Sequence, residues 1–301
     1  MEHVSKAMAL PAFMMTASTS KTCKHEYPGG YTKEFPLYKA SELRGFEQFG
    51  DKLICLECIR EGNNDKFQQD LQAETLERQS TKRKNTLYKR SIFSDQTIAD
   101  AGFKNFEVSA DEEQANKAMA KLAVDRYKEL HEIEANEYFT TMLTGSTGVG
   151  KSHLAMAILR NLNETLDVEC VFINVRYMLQ HIKDSFNNKE SIYTQMYFID
   201  LLSRVDFLVL DDLGNETGDK EASRWVKEVL TEVLESRQNK ATIITTNYKR
   251  GQLEHMYGSE YMERSALISR LLKNTAPIVF KDTNDKRVKV FDLTAPIKKE
   301  G

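Results

Sequence analysis

One short stretch limits what this chain can fold into more than any other: Gly145-Ser-Thr-Gly-Val-Gly150-Lys151-Ser152, a match to G-x-x-x-x-G-K-[ST]. An apolar run rich in β-branched and aromatic residues, Phe139 to Thr144, precedes it, and an amphipathic stretch, Lys151 to Asn163, follows it. The motif therefore falls between a strand and a helix. In that setting the glycines let backbone N–H groups close around phosphate oxygens, and the helix N-terminus adds partial positive charge. Gly145, Ser146, Thr147, Gly148, Val149 and Gly150 are expected to cradle the phosphates of ATP or ADP. Lys151 is expected to reach the β and γ phosphates, and Ser152 to offer its hydroxyl to Mg²⁺.

The surrounding pattern suits an α/β domain with a parallel sheet and helices on both faces. Strand candidates are Phe139 to Thr144, Cys170 to Val175, Phe207 to Leu210, Ala241 to Thr246 and Ile278 to Lys281. Helices are read from apolar spacing over Lys151 to Asn163, Arg176 to Asn187, Ser191 to Ser203 and Ala222 to Gln238. Two helices in a row before the third strand exceed the minimal crossover and mark an insertion.

The strand Phe207-Leu-Val-Leu ends in two carboxylates, Asp211 and Asp212. Paired acids at a strand end are common turn formers, but after a phosphate loop they fit a catalytic role. Asp211 is expected in the Mg²⁺ shell, and Asp212 is expected to orient or deprotonate the attacking water. The next strand, Ala241-Thr-Ile-Ile-Thr-Thr, runs into Asn247, whose amide would lie near the γ-phosphate if these strands are neighbours.

In order along the chain, GSTGVGKSHLAMAI, VFINVRYMLQHIKDSF, VDFLVLDDLG and ITTNY resemble the AAA+ helicase loaders of the bacterial and phage DnaC and DnaI type, relatives of the transposition ATPase IstB. The resemblance covers roughly residues 92 to 294. It implies an ATPase that loads a hexameric replicative helicase onto single-stranded DNA and associates with copies of itself. It extends the nucleotide site to His153 and makes Asn247 the first sensor. Arg270, in SALISRLL, falls where these loaders keep the arginine that acts on ATP bound by a neighbouring subunit. A second family arginine is replaced by Ala266, with Arg264 displaced, and Asp212 stands where AAA+ proteins usually carry Glu. The inserted helix resembles the part of relatives that lines a single-stranded DNA path. There Lys183 and Phe186 share a face, suited to a phosphate and a base.

At the N-terminus, Cys23-x-His25 and Cys55-x-x-Cys58 supply two close donor pairs, the usual makings of a tetrahedral Zn²⁺ site. This region has little periodicity of its own, so a metal crosslink would give it a reason to fold. The resemblance implies a DnaI-like zinc domain that holds the helicase. We therefore expect a zinc module over residues 1–62, a charged helical linker over 63–90, and an AAA+ domain over 91–301.

A net charge of −3 advertises no polyanion partner, so any nucleic-acid surface must be local. Four cysteines in 301 residues are too few for a disulfide scaffold and suit a reducing cytoplasm. No apolar run is long enough to cross a membrane. The apolar stretch Ala7 to Ala17 is read as a tail rather than a signal peptide. Two other functions remain compatible: an IstB-like transposition ATPase acting on duplex DNA, and a nucleotide-binding helicase adaptor or inhibitor without significant hydrolysis.

Overall fold

The computed structural model describes residues 20–27, 29–43, 46–60, 65–218, 220–237, 239–258 and 266–287. The apolar stretch 7–17 and Arg264 lie outside them. The chain separates into two compact units, Met1–Arg78 and Gln79–Gly301. The division falls inside one long helix.

In the first unit, β1 (Thr22–Tyr27), β2 (Tyr31–Lys39) and β3 (Leu53–Cys55) form an antiparallel sheet in the order β1-β2-β3. Gly29 and Gly30, both at positive φ, make the β1–β2 turn, and Tyr27 stacks on Tyr31 across it at 5.2 Å. A short helix α1 (Leu56–Arg60) follows directly from β3. Among the described residues the unit's cluster of buried apolar side chains is small: Ala40, Leu43 and Ile54.

The helix α2 (Asp65–Arg90) carries the polar stretch expected as a linker. Its last turns are packed into the second unit. Leu87 is fully buried, Arg83 pairs with Asp167 at 2.8 Å, and Arg90 donates to the Tyr197 hydroxyl at 2.9 Å.

The second unit contains β4 (Thr140–Thr144), β5 (Cys170–Asn174), β6 (Phe207–Leu213), β7 (Ala241–Thr246) and β8 (Thr275–Val279), all parallel, in the order β5-β6-β7-β4-β8. One core face packs α3 (Asp111–Glu132) and α4 (Lys151–Thr165) on the sheet. The other packs α5 (Val175–Asn187), α6 (Gln195–Arg204), α7 (Arg224–Ser236), α8 (Arg250–Tyr257) and α9 (Ala266–Leu271). The doubled crossover between β5 and β6 is α5 plus α6. Because β4 lies between β7 and β8, the loops leaving β4 and β7 are adjacent, with the end of β6 one strand further on.

Candidate nucleotide and metal sites

The β4–α4 loop turns on Gly148 at φ 81 and Gly150 at φ 96, a region in which a side chain would be strained. Neither position has room for one. A Cβ on Gly150 would meet the Phe106 ring at 2.8 Å, and one on Gly148 would lie 1.7 Å from Asp285 Oδ1. The chain after β8 thus runs over the loop. Lys286 N donates to Gly148 O at 3.1 Å, and Glu112 of α3 holds the same segment by accepting from Lys281 N and Asp282 N.

Lys151 opens α4 and is buried. Its ammonium donates to Gly145 O at 3.0 Å, Ser146 O at 2.7 Å and Asn247 Oδ1 at 2.7 Å. None of these three partners is a carboxylate. Burial pushes the ammonium down to about 8, against the pull of Asp212 and Asp211. Asn247 in turn donates to Asn215 Oδ1 at 3.1 Å. The expected sensor and the loop lysine are therefore in direct contact.

Asp211 is fully buried at the end of β6. It accepts from Thr245 Oγ1 at 2.8 Å and Asn174 Nδ2 at 3.3 Å, and hydrogen-bonds to Ser152. Burial, then the neighbouring Asp212, pushes its carboxyl up to about 6. Asp212 stands at φ 58 and is partly exposed. Lys151, Ser152, Asp211, Asp212 and Asn247 thus meet at the C-terminal edge of the sheet, the usual ligand crevice of an open α/β fold.

The donor set suits a Mg²⁺–triphosphate. A buried ammonium hydrogen-bonded to neutral oxygens, a glycine-rich turn opening a helix, and a hydroxyl beside a carboxylate are groups such a ligand needs. His153 sits differently: its Nε2 lies 3.0 Å from Gly102 O and 3.2 Å from Asn105 Oδ1, and its ring packs edge-on to Phe106. It ties α4 to the segment before α3.

Arg270 is not in this crevice. It pairs with Glu235 at 2.7 Å and lines a cleft with Thr140, Arg237, Lys240 and Thr242, at the N-terminal ends of the strands. Lys183 and Phe186 do share a face of α5, and the structure adds a residue that sequence reasoning missed. Trp225 of α7 lies under both, with the Lys183 ammonium 5.3 Å from its ring and Phe186 at 5.9 Å. Phe186 is 62% exposed, so it is not core filler.

In the first unit Cys23, His25, Cys55 and Cys58 converge, with their donor atoms all within 4.8 Å of one another. Cys23 Sγ is 3.5 Å from Cys58 Sγ, and His25 Nε2 is 3.3 Å from Cys55 Sγ and 3.2 Å from Cys58 Sγ. Tetrahedral zinc with Zn–S of about 2.3 Å sets neighbouring donors roughly 3.5–3.8 Å apart, so these four residues fit the ion. Burial pushes the Cys58 thiol up to about 12 and raises Cys23 as well. At Cys55 burial is outweighed by hydrogen bonds from the Cys58 backbone and His25, which bring it down. A divalent cation would remove that asymmetry by stabilising every thiolate.

The family model described as IstB-like ATP binding protein matches residues 60–290. The chain is 29% identical over 130 residues to the replicative helicase loader DnaC of Escherichia coli strain K12, across 42% of this chain and 49% of that one. It is 30% identical over 116 residues to the uncharacterized protein YqaM of Bacillus subtilis strain 168, across 38% of this chain and 35% of YqaM. Among solved structures it matches DnaI with TM-score 0.51 at 26% identity, covering 63% of this chain and 95% of that one. The matches thus span half or less of these two curated relatives' own length. Among the described residues no helix is long and apolar enough to cross a membrane.

Proposed function

The chain belongs to the family of IstB-like ATP binding proteins and has an AAA+ P-loop fold, and on that premise we propose that it is an ATP-driven loader of a hexameric replicative helicase. The observation that carries this reading is the joining of two sites in one chain: a phosphate-loop crevice with paired acids, and a four-donor Cys/His cluster in a separate small unit. The likeness to DnaC and DnaI supports the loader role over the other uses of this ATPase core. The Cys/His cluster supports a DnaI-like arrangement, with zinc holding a module that grips the helicase.

In the proposed mechanism the chain's own residues bind and orient the nucleotide. Lys151 exchanges its carbonyl partners for β and γ phosphate oxygens. Ser152 and Asp211 would hold Mg²⁺, which would neutralise charge on the phosphates. Asp212 orients the attacking water or takes its proton, and Asn247 presents its amide toward the γ-phosphate. Arg270 serves a neighbouring copy's site, so hydrolysis requires self-association. Lys183, Phe186 and Trp225 contact single-stranded DNA. Hydrolysis times release of the helicase once DNA has entered.

The test is to mix the full chain with a hexameric replicative helicase, with and without ATP, and to measure complex size and helicase deposition on circular single-stranded DNA. A stable complex with ATP-dependent deposition is expected. A complex that blocks deposition would instead support an adaptor or inhibitor, and the absence of any complex would exclude both.

A further inference from the structure

The pairing of β6 with β7 is regular up to Leu210 opposite Ile244 and resumes at Leu213 opposite Thr246. Between these pairs β6 has Asp211 and Asp212, whereas β7 has only Thr245. This is a β-bulge placed on the acid pair, with one residue facing two. The extra residue puts Asp212 at φ 58, a left-handed backbone that a non-glycine residue adopts at a cost.

Something must hold that conformation, and Thr245 supplies it. Its side chain is fully buried. Asp212 N donates to Thr245 Oγ1 at 2.9 Å, and the same hydroxyl donates its own proton to Asp211 Oδ1 at 2.8 Å. The directions are forced, because an amide can only donate and an ionised carboxylate can only accept. A single hydroxyl therefore fixes the carboxylate of one acid and the backbone of the next. The other oxygen of Asp211 is fixed from the opposite strand by Asn174, whose own Oδ1 caps α5 by accepting from Tyr177 N.

We infer that Thr245 is a positioning residue for both acids: its hydroxyl closes the bulge that turns Asp211 toward the Lys151–Ser152 end of the crevice and sets Asp212 apart from the sheet. The inference rests on the nucleotide-site reading above. Thr245 touches neither nucleotide nor cation in this scheme; it acts through the acids.

The test compares Thr245→Val, which keeps the shape and loses the hydroxyl, with Thr245→Ser, which keeps the hydroxyl and loses the methyl. In the full chain, binding of a fluorescent ATP analogue is titrated with and without Mg²⁺, alongside single-turnover hydrolysis and thermal melting. Thr245→Val should keep Mg²⁺-free nucleotide binding. It should need about 10- to 100-fold more Mg²⁺ for half-maximal enhancement of binding, with a comparable loss in hydrolysis, as expected for a residue supporting a metal ligand. Thr245→Ser should restore both. Unchanged Mg²⁺ dependence in Thr245→Val overturns the inference. So does equal impairment of both variants with a matching fall in melting temperature, since the residue would then serve packing alone. A wild-type chain that binds no nucleotide takes down the site reading itself, and this inference with it.

Discussion

An ammonium buried among neutral oxygens is prepared for an anion, and this gives Lys151 a measurable signature. Its folded value of about 8 lies below that of a free lysine, so above that pH the nucleotide-free protein holds it largely neutral. Phosphate oxygens favour the charged form. Nucleotide binding at a pH of about 8.5 should therefore take up a proton, whereas near pH 7 it should take up almost none. Calorimetry in buffers of different ionisation enthalpy reads this directly, and Lys151→Ala should abolish the binding itself. Trp225 offers a second test at this scale. Either Trp225→Ala or Phe186→Ala should weaken single-stranded DNA binding by about 1–3 kcal/mol in fluorescence anisotropy, if the rings stack on bases. That Lys151, Ser152, Asp211, Asp212 and Asn247 would meet could be read from sequence, because the phosphate-loop pattern ties them to fixed positions at strand ends. Trp225, Thr245 and Asp285 could not. Their placement depends on which strand, helix or returning segment lies opposite, and a bulge leaves no mark in local composition.

Among the elements, the small sheet of the first unit has the most to gain from a metal crosslink. Leu43 and Ile54 are its only large fully buried apolar side chains among the described residues, each contributing about 1.5–3 kcal/mol. Ordering the chain costs about 1–2 kcal/mol per residue. One zinc should copurify per chain, and a strong chelator, or Cys55→Ser with Cys58→Ser, should unfold this unit. Loss of its amide protection in hydrogen exchange, with protection of the second unit retained, is the expected readout. Arg237 has a comparable role in the larger sheet. It is fully buried and donates to Leu202 O at 2.5 Å, Val205 O at 2.8 Å and Ala241 O at 2.7 Å, tying the entry of β6 to that of β7. Arg237→Met should lower stability to denaturant by about 3 kcal/mol or more, since each stranded carbonyl costs about 1–3 kcal/mol. The alternation of strands and helices was legible from Phe139 onward. The start of β8 was not, because Pro277 argues against a central strand and is tolerated only because β8 lies at the sheet edge. The helix α3 also escaped notice. Its buried face is largely small or polar, with Asn116, Ala120 and Ala123, which mutes the periodic signal.

At the scale of the whole second unit, the phosphate-loop crevice and Arg270 lie at opposite ends of the strands. A five-residue strand such as β4 spans about 17 Å, too far for an arginine side chain to bridge with the strands in between. Arg270→Ala should therefore leave nucleotide binding near normal and depress hydrolysis. Mixing it with a Lys151→Ala chain should leave no turnover at interfaces that pair the Arg270→Ala chain with itself. Turnover should return where an Arg270→Ala chain, its own crevice intact, meets the arginine of a Lys151→Ala neighbour. If Arg270→Ala instead loses stability together with nucleotide affinity, and no rescue is seen, its pairing with Glu235 is its whole role. The separation also has a geometric consequence. On the proposed role of Arg270, an antiparallel two-fold pair would satisfy both ends at once, whereas a head-to-tail contact joins unlike surfaces and leaves one of each kind unused. Head-to-tail growth would give a closed circle or an unclosed spiral. In the spiral the last crevice stays silent, so the fraction of bound nucleotide that never turns over would count open ends and distinguish the two shapes.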